Sequence, residues 1–197
     1  MKAAILPILF LIAAQTAVAW KLPEGTSMEI AAGRGVGPIS LSTGRADLDE
    51  LLPPEALRDT MVHMGEGEFL PGTEIMAGTD FHVSIAWVGE EMLEPARITV
   101  LGSLWSAPAG VRTGMSVAEV EERSGAFQLA GFGWDYGGSA DMRGTPLDGL
   151  LLRFAPGEGE APQNLGVTGD RYYASNHPGV VASSPVLESI AVLPGGK

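Results

Sequence analysis

Hydrophobic positions along this chain change their rhythm after the first two dozen residues. From Ala3 to Ala14 the sequence is wholly apolar; beyond Trp20, apolar residues recur in short groups set among Gly, Pro and acidic residues. Two stretches carry helix punctuation. Thr43-Gly-Arg-Ala-Asp-Leu-Asp-Glu-Leu-Leu runs into Pro53-Pro54, which stops a helix. Ser116 and Glu119 fit a capping box, Val117 and Val120 share one helix face, and Gly125 is a natural stop. Strands are predicted over Ser27–Ala32, Met61–Met64, Thr73–Ala77, Phe81–Trp87, Arg97–Leu101, Phe127–Gly131, Gly149–Phe154 and Leu187–Leu193. In Arg97-Ile-Thr-Val100 the alternation puts Ile98 and Val100 on one face. Loops are predicted at Gly89–Glu94, Pro156–Pro162 and Asp170–Pro178.

The pattern repeats. Ile39–Glu50 aligns without gaps on Val111–Glu122, pairing Ala46 with Ala118, Asp47 with Glu119 and Leu48 with Val120. Further on, Ala96-Arg-Ile-Thr-Val-Leu-Gly102 matches Glu188-Ser-Ile-Ala-Val-Leu-Pro194 in the same order. The expected fold is therefore α+β, built from two related halves, Val36–Gly102 and Ala109–Pro194. Each is a short helix packed on antiparallel strands within a single mature domain, residues 20–197.

The N-terminal apolar run changes the picture most. Lys2 is a short positive region, Ala3–Ala14 the apolar region and Ala17-Val-Ala19 a small-x-small cleavage site, so residues 1–19 are expected to be a cleaved secretory signal peptide. Pro7 and the shortness of the run argue against a retained membrane span. With no Cys after Ala19, no lipid anchor is expected, and the destination is periplasmic or secreted. The chain has 12 basic and 24 acidic residues, a formal net charge of −12, and loses Lys2 with the leader. That sign disfavours nucleic acid and anionic membrane surfaces. The absence of cysteine excludes thiol nucleophiles and thiolate metal sites.

Gly110-Val-Arg-Thr-Gly-Met-Ser-Val-Ala-Glu-Val120, followed by Gly131-Phe-Gly-Trp-Asp-Tyr-Gly-Gly138, resembles a family of uncharacterised secreted bacterial proteins. These share a GxxxGxSxxEV helix start and a GFGWDYGG-type segment; the likeness implies a fold and no activity. More distantly, Gly114–Val120 is similar to the helix start of tandem-repeat envelope modules. Those modules include the β-lactamase inhibitor protein type and small outer-membrane assembly lipoproteins. The lack of cysteine departs from the inhibitor protein.

Candidate chemistry centres on Gly131–Gly138. Trp134 and Tyr136 are candidates to stack on a sugar or peptide while Asp135 accepts hydrogen bonds. The i, i+2, i+4 spacing of Phe132, Trp134 and Tyr136 equally suits one core face of a strand, which is the reading the spacing favours. Arg171 and Tyr172 are candidates for a recognition loop. His63-x-x-Glu66 and Asp80-x-His82 are each half a metal site, and no full ligand set or cofactor motif is present. Neither is a G-x-S-x-G elbow. The function expected is a non-catalytic periplasmic or envelope binding module for an envelope protein or a small polar ligand. The alternative is a hydrolase of envelope polysaccharide or peptide pairing Asp135 with Glu66 or Glu68.

Overall fold

A computed structural model describes residues 25–195. The predicted signal peptide and its cleavage site lie outside the described residues. The chain opens with three two-residue strands, β1 (Ile30–Ala31), β2 (Gly35–Val36) and β3 (Ile39–Ser40), which pair as a small antiparallel sheet. Helix α1 (Arg45–Leu51) follows and ends before Pro53-Pro54, as the sequence predicts. The Asp47 carboxylate accepts the free Gly44 N–H at 2.8 Å, capping its first turn. Four strands succeed it: β4 (Leu57–Gly65), β5 (Glu68–Ile75), β6 (Val83–Trp87) and β7 (Pro95–Val100).

Helix α2 (Val117–Ser124) starts on the predicted capping box. Ser116 N–H donates to Glu119 at 2.8 Å, and Glu119 N–H donates to the Ser116 hydroxyl at 3.3 Å. Strands β8 (Gln128–Ala130), β9 (Ser139–Asp141) and β10 (Leu150–Ala155) come next, then β11 (Tyr172–Ala174), α3 (Pro178–Ala182) and β12 (Val186–Val192). The fold is α+β. No helix among the described residues is long and apolar enough to cross a membrane.

One antiparallel sheet of nine strands, ordered β11-β8-β9-β10-β12-β7-β6-β5-β4, carries both halves. They meet where β7 pairs with β12 through Ile98↔Val192, Thr99↔Ala191 and Val100↔Ile190. The register is centred on Thr99 and Ala191. Outside it, each strand skips one residue against its other neighbour, Ala96 on β7 and Glu188 on β12. Such bulges re-aim the side chains around them.

One face of the sheet is packed. Ile98, Val100, Ile190 and Val192 are fully buried there with Leu48 of α1, Val120 of α2 and Val36 of the small sheet. Because side chains alternate, Arg97, Thr99, Ser189 and Arg153 must project from the opposite face.

A chain of polar groups crosses the packed side near α1. Trp87, fully buried, donates its indole N–H to the Thr73 hydroxyl at 2.9 Å; Thr73 donates to Asp59 at 2.7 Å, and Arg45 Nε donates to the same carboxylate at 2.7 Å. The Arg45 guanidinium holds Asp59 below the usual carboxylate range.

Beyond strand ends that shift by a few residues and the short strands β2, β3 and β9, which were not predicted, the sequence reading differs from the structure in three places. The strand predicted over Ser27–Ala32 shrinks to Ile30–Ala31, because the segment crosses toward Ser106 and Glu29 makes only a bridge there. The predicted loop Asp170–Pro178 holds β11 and the start of α3, an edge strand too short to show a period. Finally, Phe132, Trp134 and Tyr136 do not share a core face. The strand stops at Ala130, Phe132 alone is buried, and the two other aromatics lie in a turn.

Replacing Thr73 with Val leaves the buried Trp87 N–H unpaired without changing side-chain volume much. Denaturant unfolding should show a loss of about 1–3 kcal/mol, with Thr73→Ser close to wild type. A neutral Thr73→Val result would mean that the hydrogen-bond chain does not stabilise this side of the sheet.

Candidate functional site

The candidate site forms where a long arm from the first half bends over the open face of the sheet. Strand β5 pairs with β6 only from Gly72 to Ile75, whereas β4 and β5 remain paired out to Gly65 and Glu68. The outer part of this hairpin thus leaves the sheet. Pro71-Gly72 marks the departure: proline has no N–H to give a neighbour, and a Cβ on Gly72 would lie 2.7 Å from the Ile85 carbonyl oxygen. At the tip Gly65, Glu66 and Gly67 all have positive φ, so Gly-Glu-Gly makes the reversal.

The tip lands on the Gly131–Gly138 segment of the second half. Glu66 N–H donates to the Asp135 carboxylate at 2.6 Å. The Tyr136 ring lies so close to Gly65 that a Cβ there would meet it at 3.2 Å. Trp134 and Tyr136 pack edge to face at 5.3 Å, and the Trp134 indole donates to the Gly131 carbonyl at 2.8 Å. Below this segment, Gly138 N–H donates to Ala130 and its own carbonyl accepts from Phe154, each at 2.9 Å. At Gly138 φ is +76°, and a Cβ would fall 1.9 Å from the Phe154 carbonyl oxygen, so only glycine fits.

Arm, turn and sheet enclose a groove of about 330 Å³. Val62 and Met64 come from the arm, Asp135 and Tyr136 from the turn, and Arg97 and Arg153 from the floor. The Thr99, Ser139 and Ser189 hydroxyls also border it. Arg97 sits on interior strand β7 and donates from Nη2 to the His63 carbonyl at 3.0 Å, tying floor to arm. Its Nε–H is buried without a hydrogen-bond partner among the described residues. Burial lowers the Arg97 pKa, and the nearby positive charge of Arg153 lowers it further. Glu188 stands 3.8 Å from Arg153, an ion pair beyond hydrogen-bond distance.

A larger hollow of about 630 Å³ lies between α2 and α3, beside Val117, Ala118, Val181 and Pro185. The Ser116 hydroxyl on its rim already serves the α2 cap. The groove, by contrast, converges several charged groups of opposite sign and several hydroxyls on one space, the arrangement expected of a ligand site.

The structure separates the residues that the sequence singled out. Asp135 and Tyr136 line the groove. Trp134, partly exposed, borders an adjoining hollow that shares Arg153 and Glu188 with it. Arg171 and Tyr172 lie elsewhere, on the outer edge of the sheet at β11, with Tyr172 exposed. Asp80 accepts from the Ser103 hydroxyl, and His82 bonds to Glu74, which also accepts from Ser84 at 2.8 Å. No cluster of three or more metal-ligating side chains occurs among the described residues. The sequence reading missed Arg97, Arg153 and Glu188. For the two arginines a signal was present: guanidiniums inside Arg-Ile-Thr-Val and Leu-Leu-Leu-Arg-Phe, alternating with Ile98 and with Leu152 and Phe154.

No protein-family model and no curated protein matches the chain. Among solved structures it is similar to the crystal structure of the uncharacterized protein yfeY from Escherichia coli. The two share 20% sequence identity at a TM-score of 0.50, over 82% of this chain and 97% of that one. The likeness is one of fold. It carries no chemistry to the groove, whose reading rests on the residues themselves.

If Asp135 fastens the arm, Asp135→Ala should raise hydrogen exchange at the Glu66 amide severalfold. This exposed contact should change global stability by less than about 1 kcal/mol. Unchanged exchange at Glu66 would show that the arm is held by Tyr136 and Arg97 alone.

Proposed function

We propose that the chain is an exported, non-catalytic binding module whose ligand lies in the groove between the β4–β5 arm and the open face of the sheet. The observation that carries this reading is the fastening of the arm to Asp135 and Tyr136 over a polar, charged floor. An arm with little core of its own, held across a space of small-ligand size, is suited to holding a ligand. The signal-peptide pattern supports delivery to the periplasm or the medium, where the occupant would be a small polar ligand or a segment of an envelope protein. The hydrolase reading is weaker. Although Asp135 and Glu188 border one groove, Asp135 already uses one oxygen to hold Glu66.

Filling the groove tests this function. Ser189 is half-buried on the floor: native mass spectrometry of the full-length exported protein should find a bound small molecule, and Ser189→Trp should remove it while thermal unfolding stays within a few degrees. Retention of the same molecule by Ser189→Trp would place the ligand elsewhere; turnover of an envelope polysaccharide or peptide by wild type would replace the binding module with the hydrolase.

We also infer that the two halves arose by duplication and share the plan of the tandem-repeat envelope modules. Support comes from the matched order of helix and four sheet strands, and from the register centred on Thr99 and Ala191. Bulges at Ala96 and Glu188, positions already matched in sequence, add to it. Superposing α1 and β4–β7 on α2, β8–β10 and β12 should bring Thr99 onto Ala191; a best fit in another register would defeat the duplication.

A further inference from the structure

Resting on the groove as the ligand site, we propose that Arg97 and Arg153 form a carboxylate-binding subsite on its floor, selective for a small monoanion. The carboxylate would be that of a free hydroxy acid or of a short peptide's C-terminus.

The case begins with Arg97. A guanidinium has five N–H donors and no way to lose its charge under ordinary conditions. Here the charge sits on an interior strand with no ion pair among the described residues, and its Nε–H is buried without an acceptor. Such a group is costly unless an acceptor reaches it, and more so when charged. The His63 carbonyl takes one Nη2 proton and so fixes the orientation of the planar fork. With Nη2 anchored, the guanidinium keeps further N–H donors for a carboxylate in the groove that Arg97 lines.

Arg153 supplies the second positive group. Its side chain makes no hydrogen bond among the described residues, and its carboxylate neighbour Glu188 remains at 3.8 Å. The bulge at Glu188 leaves this carboxylate beside Arg153 without closing a bidentate pair. An incoming carboxylate can therefore engage Arg153 without first displacing a tight salt bridge.

The same groove limits the ligand's charge. Asp135 and Glu188 oppose the two arginines, so the site is close to neutral and a polyanion would meet repulsion at its walls. One anionic group with a neutral or cationic remainder fits this balance. The Thr99, Ser139 and Ser189 hydroxyls line the groove and have no side-chain hydrogen bond among the described residues, leaving them for amide or hydroxyl groups of the ligand.

The test uses the full mature chain, with side-chain NMR of the arginine Nε–H groups as the direct readout and calorimetry for affinity. The probes are alanyl-alanine, its C-terminal amide, lactate and inorganic phosphate. Alanyl-alanine or lactate should shift the Arg97 Nε–H resonance, the amide should bind at least about tenfold more weakly than the acid, and phosphate should not compete. Binding of the peptide acid identifies a peptide terminus as the source; binding of lactate alone identifies a free acid. Arg97→Gln and Arg153→Gln should each weaken carboxylate binding about tenfold or more. Arg153 is partly exposed, so its variant remains informative if Arg97→Gln folds poorly.

Equal binding of acid and amide, preference for phosphate, no binding of either carboxylate at millimolar concentration, or indifference to Arg153→Gln would each overturn the subsite. Those failures differ from a failure of the groove itself, which is read from the co-purified molecule in Ser189→Trp without reference to either arginine.

Discussion

The structure depends on one pairing. Strands β7 and β12, distant in sequence, meet in the middle of the sheet over three residue pairs, and this contact merges two antiparallel meanders into one. Neither meander has a large core alone, and isolated small sheets are marginal. At the junction Ile98, Val100, Ile190 and Val192 are all fully buried, so a slip of either strand by one residue would turn its two apolar side chains here to the open face. The register is fixed by that cost. The same register sets the position of the polar residues between them.

Arg97, Thr99, Ser189 and Arg153 reach the open face because their neighbours are required in the core. The polar floor is thus the complement of the hydrophobic pattern, and the two bulges adjust it locally at Ala96 and Glu188. An acidic chain here carries, on interior strand β7, a guanidinium with no ion pair among the described residues. Short-range contacts outweigh net charge at such a site, because partly buried groups are screened less than those in water.

The arm supplies the other wall, and its physics differs. Beyond Gly72 the β4–β5 hairpin exposes Met61 and Phe69 and gains little from burial. It is held at its end by one charge-assisted hydrogen bond, by ring contact with Tyr136 and by the Arg97 link at His63. Few buried contacts and a small number of end restraints make a segment that can open at low cost compared with the core. The arm and the sheet beneath it are therefore stabilised by different forces.

Much of the scaffold was legible in the chain itself. The Ser116–Glu119 cap, the Pro53-Pro54 stop, the alternation in Arg97–Val100 and the matched segments around Ile98 and Ile190 are local signals, and local sterics and hydrogen bonding decide them. The Trp-Asp-Tyr turn was recognisable as unusual, yet its role was not, because nothing within eight residues says that Gly65 will lie against Tyr136. Contact between residues separated by about seventy positions depends on how far the sheet twists and where the hairpin leaves it. The sequence by itself determined helices α1 and α2, most strands of the large sheet, the α+β class and the side of β7 that faces the core. Tertiary structure alone decided that Asp135, Tyr136, Arg97 and Arg153 share one groove while Arg171 and Tyr172 do not, because sheet order and arm curvature are set by packing across the whole domain.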